Sequence, residues 1–348
     1  MDSVAQELDK LGITVKGASL PQDLAETISV RISQLQKLTN SPTFLPEFDR
    51  LNKYIEWVTS LPWQKTTQDV LDLAHAKEVL DRNHYGLGDI KTRILEYISV
   101  MKLKQEKGEE KDVMRAPILF FVGLVGTGKT SIAVSIAEAL GRKFARIPFG
   151  GMGDPLDLRG QSRMHAEAEP GKVIKALKQS GSRNPVILLD EIDRVAEEGR
   201  SSIMGVLVEL LDPEQNQAFI DHYVDFPFDL SEVLFIATAN NTTNVATAVL
   251  DRLEPISMPS YSDQEKMAIG RDYLLPKAAK EAGLAEGTLT FDNEVWPVIV
   301  RPLGFDAGIR TLKRNIEGVA RKAAHEIVEG KVQSVKISSE NVKNYIPQ

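Results

Sequence analysis

Apolar residues in the first part of the chain recur at helical spacing. Residues 1 to about 62 read as helical, with a break at Gly17 to Pro21. Asp23 to Leu38 places Leu24, Ile28, Ile32, Leu35 and Leu38 on one face, and Asn40-Ser41-Pro42 ends that helix. A second helix, about Phe48 to Leu61, does the same with Leu51, Tyr54, Ile55 and Val58. Such stripes describe a helical layer packed on the next domain, or arms that present a partner surface. A turn then opens at Asp81 and leads into a helix that runs to about Leu103. Gln105 to Arg115, mixed in charge, is expected to be a solvated connection with no chemistry.

From Pro117 the pattern alternates between short apolar runs and helical stretches. The runs Pro117 to Val122, Phe144 to Phe149, Val186 to Leu189, Val233 to Asn240 and Pro255 to Met258 suit buried parallel strands. Helices are expected at Ser131 to Leu140 and Lys172 to Gln179, with a loop-rich segment between Gly150 and Gly160. The alternation predicts an α/β fold with a parallel sheet flanked by helices and its chemistry at the strands' carboxyl ends. Beyond Asp263 the pattern is helical, at about Asp263 to Gly283, Asn293 to Val300 and Ala307 to Gly330. A tail at Ser334 to Ile337 and Ser339 to Tyr345, capped by Ser338 or Ser339, closes it. The expected division is 1–80 helical, 81–261 α/β and 262–348 small helical.

The first run breaks into Gly123-Leu124-Val125-Gly126-Thr127-Gly128-Lys129-Thr130, G-x-x-x-x-G-K-T between a strand and a helix. Its glycines let the backbone wrap a polyphosphate with amide N–H groups inward and with the helix N-terminus behind it. Lys129 supplies a charge for the β- and γ-phosphates, and the Thr130 hydroxyl suits Mg²⁺. Downstream, the run at Val186 ends in Asp190-Glu191, which suits a Walker B strand. Asp190 would orient Mg²⁺ and Glu191 would polarise the attacking water, unless both only cap the following helix. Asp193 reads as a cap or a surface charge. The run at Val233 ends in Asn240, whose amide suits the attacking water or the γ-phosphate.

Composition narrows the classes. With no cysteine, disulfides, thiolate zinc sites and cysteine nucleophiles are excluded, and the five histidines lack ligand spacing. The net charge of −7 weighs against nucleic acid as the main partner, including a DNA-remodelling role. No run is long enough to span a bilayer as a helix, and Met1-Asp-Ser-Val-Ala does not resemble a signal peptide. A cytoplasmic protein is expected.

The phosphate loop, the Asp-Glu strand end, the strand ending in Asn and the trailing helical unit together resemble an AAA+ ATPase. The intervening words resemble the Lon protease family. They are His84-Tyr85-Gly86-Leu87, Gly150-Gly151-Met152, Pro170-Gly171-Lys172, Leu211-Asp212-Pro213-Glu214-Gln215-Asn216, Asp221-His222-Tyr223, Asp229-Leu230-Ser231, Asp251-Arg252-Leu253-Glu254 and Ala307-Gly308-Ile309-Arg310. Upstream, the Tyr54 to Trp63 stretch matches the helix entering the family's ATPase module. The resemblance spans roughly residues 48 to 346 and implies a P-loop AAA+ core, a C-terminal helical lid and an N-terminal helical segment. It assigns Asn240 to sensor 1, Arg252 to the arginine finger, Arg310 to sensor 2 and His84 to Leu87 to the adenine side. It also implies ATP and Mg²⁺ as ligands, a homohexameric ring, protein substrates and an inserted hairpin at Phe219 to Phe228.

Three departures qualify the expectation. Leu124 and Val125 stand where the family has prolines, which should leave the phosphate cradle intact. The pore loop, Met164 to Ala166, places His165-Ala166 where the family grips substrate with an aromatic-aliphatic pair, so van der Waals grip should weaken. The chain reaches Gln348 where the family's proteolytic domain would begin, so these residues alone are not expected to cleave peptide bonds, the protease lying on another chain or in a missing segment. The sequence therefore predicts a Lon-type ATPase that unfolds or remodels proteins, with a nucleotide-switched assembly scaffold as the alternative.

Overall fold

A computed structural model describes residues 2–39, 41–108, 118–165, 167–301 and 308–346. The chain opens with α1 (Asp2–Gly17), α2 (Gln22–Gln36), α3 (Phe44–Ser60), α4 (Leu73–Asn83) and α5 (Gly88–Glu106). There follow β1 (Ile118–Val122), α6 (Lys129–Ala139), β2 (Phe144–Pro148), α7 (Leu156–Arg159), α8 (Lys172–Ser180) and β3 (Val186–Asp190). Next come α9 (Arg200–Leu211), β4 (Phe219–Ile220), β5 (Pro227–Phe228), β6 (Leu234–Ala239), α10 (Thr247–Leu250) and β7 (Leu253–Ser257). The chain closes with α11 (Asp263–Ile269), α12 (Leu275–Glu281), β8 (Leu289–Phe291), α13 (Trp296–Val300), α14 (Arg310–Val328), β9 (Val335–Ile337) and α15 (Val342–Tyr345).

The chain folds as two compact units. The first comprises Met1–Leu71, Ile98–Phe120 and Ala137–Pro255; the second comprises Asp72–Tyr97, Phe121–Ile136 and Ile256–Gln348. The main sheet has five strands in the order β2-β3-β6-β1-β7. β3 pairs in parallel with β2, Phe144 against Val186 through Pro148 against Asp190, and with β6, Val186 against Leu234 through Leu189 against Ala237. Both β3 and β6 are buried along their whole length. Continuous apolar runs of this kind belong in parallel strands covered on both faces.

Within the first unit, α1, α2 and α3 pack on one another. Leu24, Ile28, Ile32 and Leu35 bury the expected face of α2. The helix ends before Leu38, which is exposed. α3 begins at Phe44 rather than Phe48, because Phe44 is itself buried and stacks on Phe48. Of its expected apolar face, Leu51 is only partly covered. The layer is fastened to the rest of its unit: Tyr54 Oη donates to the Val224 carbonyl at 3.1 Å, Lys178 Nζ lies 3.9 Å from the Trp57 ring centroid, and Trp63 packs on Phe228. The hairpin expected at Phe219 to Phe228 is present as antiparallel β4 and β5.

Among the described residues, α4 and α9 had no counterpart in the sequence pattern, nor did the four-residue α7 and α10. α4 is announced by Asp72, whose carboxylate accepts from the backbone N–H groups of Ala74 and His75. α9 buries Ile203, Met204, Val206, Leu207, Leu210 and Leu211, and so many apolar positions blur its period.

The carboxyl-terminal part of the second unit has its own core, built around Trp296, Ile299, Leu312, Ile316 and Val319. The stretch expected to be one helix from Asp263 is continuous but passes through a π turn at Gly270–Leu274 between α11 and α12. Ser262 and Glu265 form a capping box at its start. β8, unexpected, pairs in parallel with β9. The tail helix is capped not by Ser338 or Ser339 but at Asn341, whose side chain accepts from the Ser338 N–H at 2.8 Å. α14 is Arg310–Val328, and the predicted start at Ala307 lies outside the described residues, as do Pro117 and 109–115 of the charged connection. No described helix is long and apolar enough to cross a membrane.

Candidate active site

In the second unit the loop after β1 turns into α6. Gly126 and Gly128 take φ of +82° and +97°, values that a side chain at either position would oppose. Lys129 is buried, and its Nζ donates to the carbonyls of Gly123 at 2.6 Å and Leu124 at 3.0 Å. Thr127 Oγ1 donates to the Leu124 carbonyl at 2.9 Å, while the Thr127 carbonyl accepts from Tyr261 Oη at 3.1 Å. Burial pushes that phenol up to about 12, so it remains a donor. The loop is thereby shaped by its own side chains, and Leu124 and Val125 point outward, 53% and 36% exposed. Thr130 is exposed at the second position of α6.

Residues 308–310 sit directly on this loop. The Ile309 N–H donates to the Gly126 carbonyl at 3.0 Å, and a Cβ on Gly308 would stand 2.5 Å from the Val125 oxygen. Arg310, exposed, opens α14 from that contact.

The His84 to Leu87 segment belongs to the same unit. Gly86 and Leu87 are consecutive left-handed residues, φ +63° and +56°, which turns the chain sharply into α5. Tyr85 is partly exposed and meets the Tyr273 ring edge-on at 6.4 Å between centroids. His84 points inward instead: its Nε2 lies 2.9 Å from Ser135 Oγ, which also accepts from Asn83 Nδ2 at 3.1 Å. The serine proton is then available to His84 Nε2. The Ser131 carbonyl is a further hydrogen-bond partner of the ring. His84 therefore pins the segment to α6 by hydrogen bonds.

Burial pushes the His84 imidazole down to about 4 from its ordinary 6.5, with the Lys91 ammonium adding to the shift. Between those values the unfolded chain binds a proton that the folded chain refuses, so stability is complete above pH 6.5 and falls as pH drops toward 4. This residue alone should cost on the order of 3 kcal/mol between pH 7 and pH 4. Urea unfolding across that range should show a steeper acid loss for the unsubstituted chain than for His84→Gln. Parallel curves would place the histidine in a wetter setting.

In the first unit, chemistry gathers where β3 and β6 end. Asp190 is buried, and its Oδ2 receives Arg146 Nε at 2.7 Å and Nη2 at 2.6 Å. Its Oδ1 accepts from Thr238 Oγ1. The Thr238 hydroxyl in turn accepts from the Glu191 N–H at 2.9 Å. Glu191 itself is left-handed, φ +59° and ψ +49°, which is uncommon for a residue with a side chain. Its carboxylate is partly exposed, 3.9 Å from Arg194.

Asp193 is neither a helix cap nor a surface charge. It is buried, and its Oδ2 accepts from the backbone N–H groups of Asn240 at 3.0 Å and Asn241 at 3.3 Å. β6 stops at Ala239, one residue short of the expected end, and Asn240 follows it half-covered. Arg252 donates to the Ala248 carbonyl and to Asp212 Oδ2, each at 2.8 Å. That hydrogen bond holds the Asp212 carboxyl below its ordinary range.

The loop at 161–169 rises from a tight base. The Gly171 N–H donates at 2.7 Å to Asp221, whose other oxygen accepts from Tyr223 and Val224. Arg163 lies 4.0 Å from the Tyr54 ring centroid and bridges to Asp225 at 3.1 Å. Met164 is 84% exposed and His165 is exposed, while Ala166 lies outside the described residues. The sequence pattern gave Arg146 and Thr238 no role, and Asp212 entered only as part of the Leu211 to Asn216 word. A threonine inside the apolar run of β6 was the one available signal.

Residues 119–260 match the family model for the ATPase family associated with various cellular activities (AAA), and 280–336 match the Lon protease AAA+ ATPase lid domain. The chain is 42% identical over 341 residues to Lon protease of Lawsonia intracellularis, covering 98% of this chain and 40% of that protein. It is 42% identical over 346 residues to Lon protease of Desulfovibrio desulfuricans, covering 99% and 38%. Against Lon protease 2 of Thermus thermophilus it is 40% identical over 346 residues, covering 98% and 43%. The chain thus spans about two fifths of these relatives' length.

Proposed function

Because the chain belongs to the Lon protease family and carries its AAA+ ATPase part, we propose that it hydrolyses Mg-ATP to unfold or remodel proteins. The arrangement that best supports hydrolysis, rather than nucleotide binding alone, is Glu191 fixed in a left-handed turn at the end of a buried strand.

In this reading the amides of residues 123–130 and the Lys129 ammonium bind the β- and γ-phosphates. The Ile309 contact lets Arg310 read the same loop. Tyr85 and its neighbours through Leu87 line the adenine side, and His84, turned inward, holds that segment in place. Glu191 takes a proton from the attacking water while Asn240 orients it. Arg252 acts on the nucleotide of a neighbouring copy, as an arginine finger in a homohexameric ring.

Thr130 and Asp190 would hold Mg²⁺, and the donor set suits it. Thr130 presents an exposed hydroxyl, and Asp190, whose Oδ2 is filled by Arg146, keeps one lone pair on Oδ1 beside the bond from Thr238. When bound, the cation neutralises charge on the phosphates. Among the described residues no three carboxylates or imidazoles cluster, which is compatible with an ion held largely by phosphate and water.

The assigned division of labour keeps 1–80 as a helical segment, 81–261 as the nucleotide-binding domain and 262–348 as the lid. A cytoplasmic setting, protein substrates and a protease on another chain or segment complete the proposal. The exposed Met164 and His165 favour a second reading, a nucleotide-switched scaffold, because neither offers a bulky aromatic grip.

ATP turnover measured against protein concentration separates the two, with Arg252→Ala and a labelled casein-like protein alongside. A motor should gain turnover as copies assemble and lose about 10³-fold or more in Arg252→Ala. Turnover that is absent, or indifferent to concentration, would select the scaffold.

A further inference from the structure

Thr238 is the polar residue of an otherwise apolar strand, fully buried one step beyond the Leu189–Ala237 pair. A hydroxyl has one proton to give and lone pairs to receive. Here both directions are dictated by the partners. The Asp190 carboxylate accepts, so the threonine proton goes to Oδ1; the Glu191 N–H donates, so it fills a threonine lone pair at 2.9 Å. One hydroxyl therefore touches the two acidic residues assigned to Mg²⁺ and to water.

We propose that Thr238 is a positioning residue for ATP hydrolysis, a buried clasp that holds Glu191 in its left-handed turn and Asp190 in its rotamer. The proposal rests on the hydrolytic reading above. Left-handed backbone is unfavourable for a residue carrying a Cβ and persists when neighbours hold it. The Glu191 N–H is held by this hydroxyl, and extended backbone at 191 would redirect its carboxylate.

The clasp has a mirror image. Asp193, on the β3 side, receives the backbone N–H groups of Asn240 and Asn241 on the β6 side. Each strand end thus supplies a side chain that fixes the other's backbone. Glu191 and Asn240, the two groups assigned to the attacking water, are carried on one cross-laced piece.

Thr238→Val keeps the shape and removes the hydroxyl; Thr238→Ser keeps the hydroxyl and removes the methyl. In steady-state ATPase assays with separate measurement of ATP binding, the valine variant should lose about 10- to 100-fold in kcat. Its KM and its affinity for ATP should stay within about twofold, since the Lys129 loop is untouched. The serine variant should recover kcat to within about threefold of the unsubstituted chain. Thr238→Ala repeats the test should valine not fold.

A hydroxyl-free variant with normal kcat overturns the proposal, and so does a serine variant as impaired as valine, which would assign the effect to methyl packing. An unsubstituted chain that binds ATP without turning it over overturns the hydrolytic reading and this proposal with it. Turnover that survives in Thr238→Val overturns this proposal alone.

Discussion

Glu191→Gln is expected to bind ATP as tightly as the unsubstituted chain and to hydrolyse it about 10²- to 10⁴-fold more slowly, the range that a positioned general base supplies. The amide is nearly isosteric, so the left-handed turn and the hydrogen bond from its N–H to Thr238 should survive the change. What disappears is the ability to accept a proton. Such a loss belongs in kcat with little movement in KM, because the interaction matters when the water attacks rather than when ATP arrives. Turnover of bound ATP in a single cycle measures it directly. Full turnover would remove Glu191 from the chemistry and leave it a turn residue beside Arg194.

Gly171→Ala should be the most destabilising single methyl in the loop base. A Cβ there would stand 2.0 Å from the Leu158 oxygen and 2.6 Å from the Gly160 nitrogen, all backbone atoms that no rotamer change can clear. Opening that contact would also draw the Gly171 N–H away from Asp221, whose carboxylate is fully buried. Overpacking of this severity costs about 3 kcal/mol or more. At the heat of unfolding typical of domains of 150–250 residues, Tm should fall by roughly 6–12 °C. Calorimetry of the variant decides it: a Tm within about 2 °C would mean that the 160–171 base can open at little cost.

Elements built on local pattern were legible in the sequence. The apolar runs at 118–122, 186–190 and 234–239 carry their burial in their composition, and the tight turn from β1 into α6 declares itself through glycine spacing. What stayed hidden depends on partners far along the chain. Thr238 meets Asp190 across 48 residues, Asn240 meets Asp193 across 47 and Arg252 meets Asp212 across 40. No local period encodes such meetings; they follow from strand register and from turns outside the strands. Asp193 shows the limit most clearly. Three residues past a strand end, an aspartate has the local credentials of a cap, yet the backbone that follows the neighbouring strand claims it. β8 was missed for a related reason, since three residues form a strand there because β9 lies beside them.

The seating of residues 308–310 on the loop between β1 and α6 gives α14 a mechanical character. The helix is 19 residues long, about 28 Å from Arg310 to Val328, and the residue that caps its start is joined to the loop through the Ile309–Gly126 hydrogen bond. It is a lever whose short end rests on the loop. A tilt of about 5° at that pivot sweeps Val328 through roughly 2.5 Å along the helix's length. Amplification of this sort requires no stored strain, only a stiff rod and a fixed fulcrum.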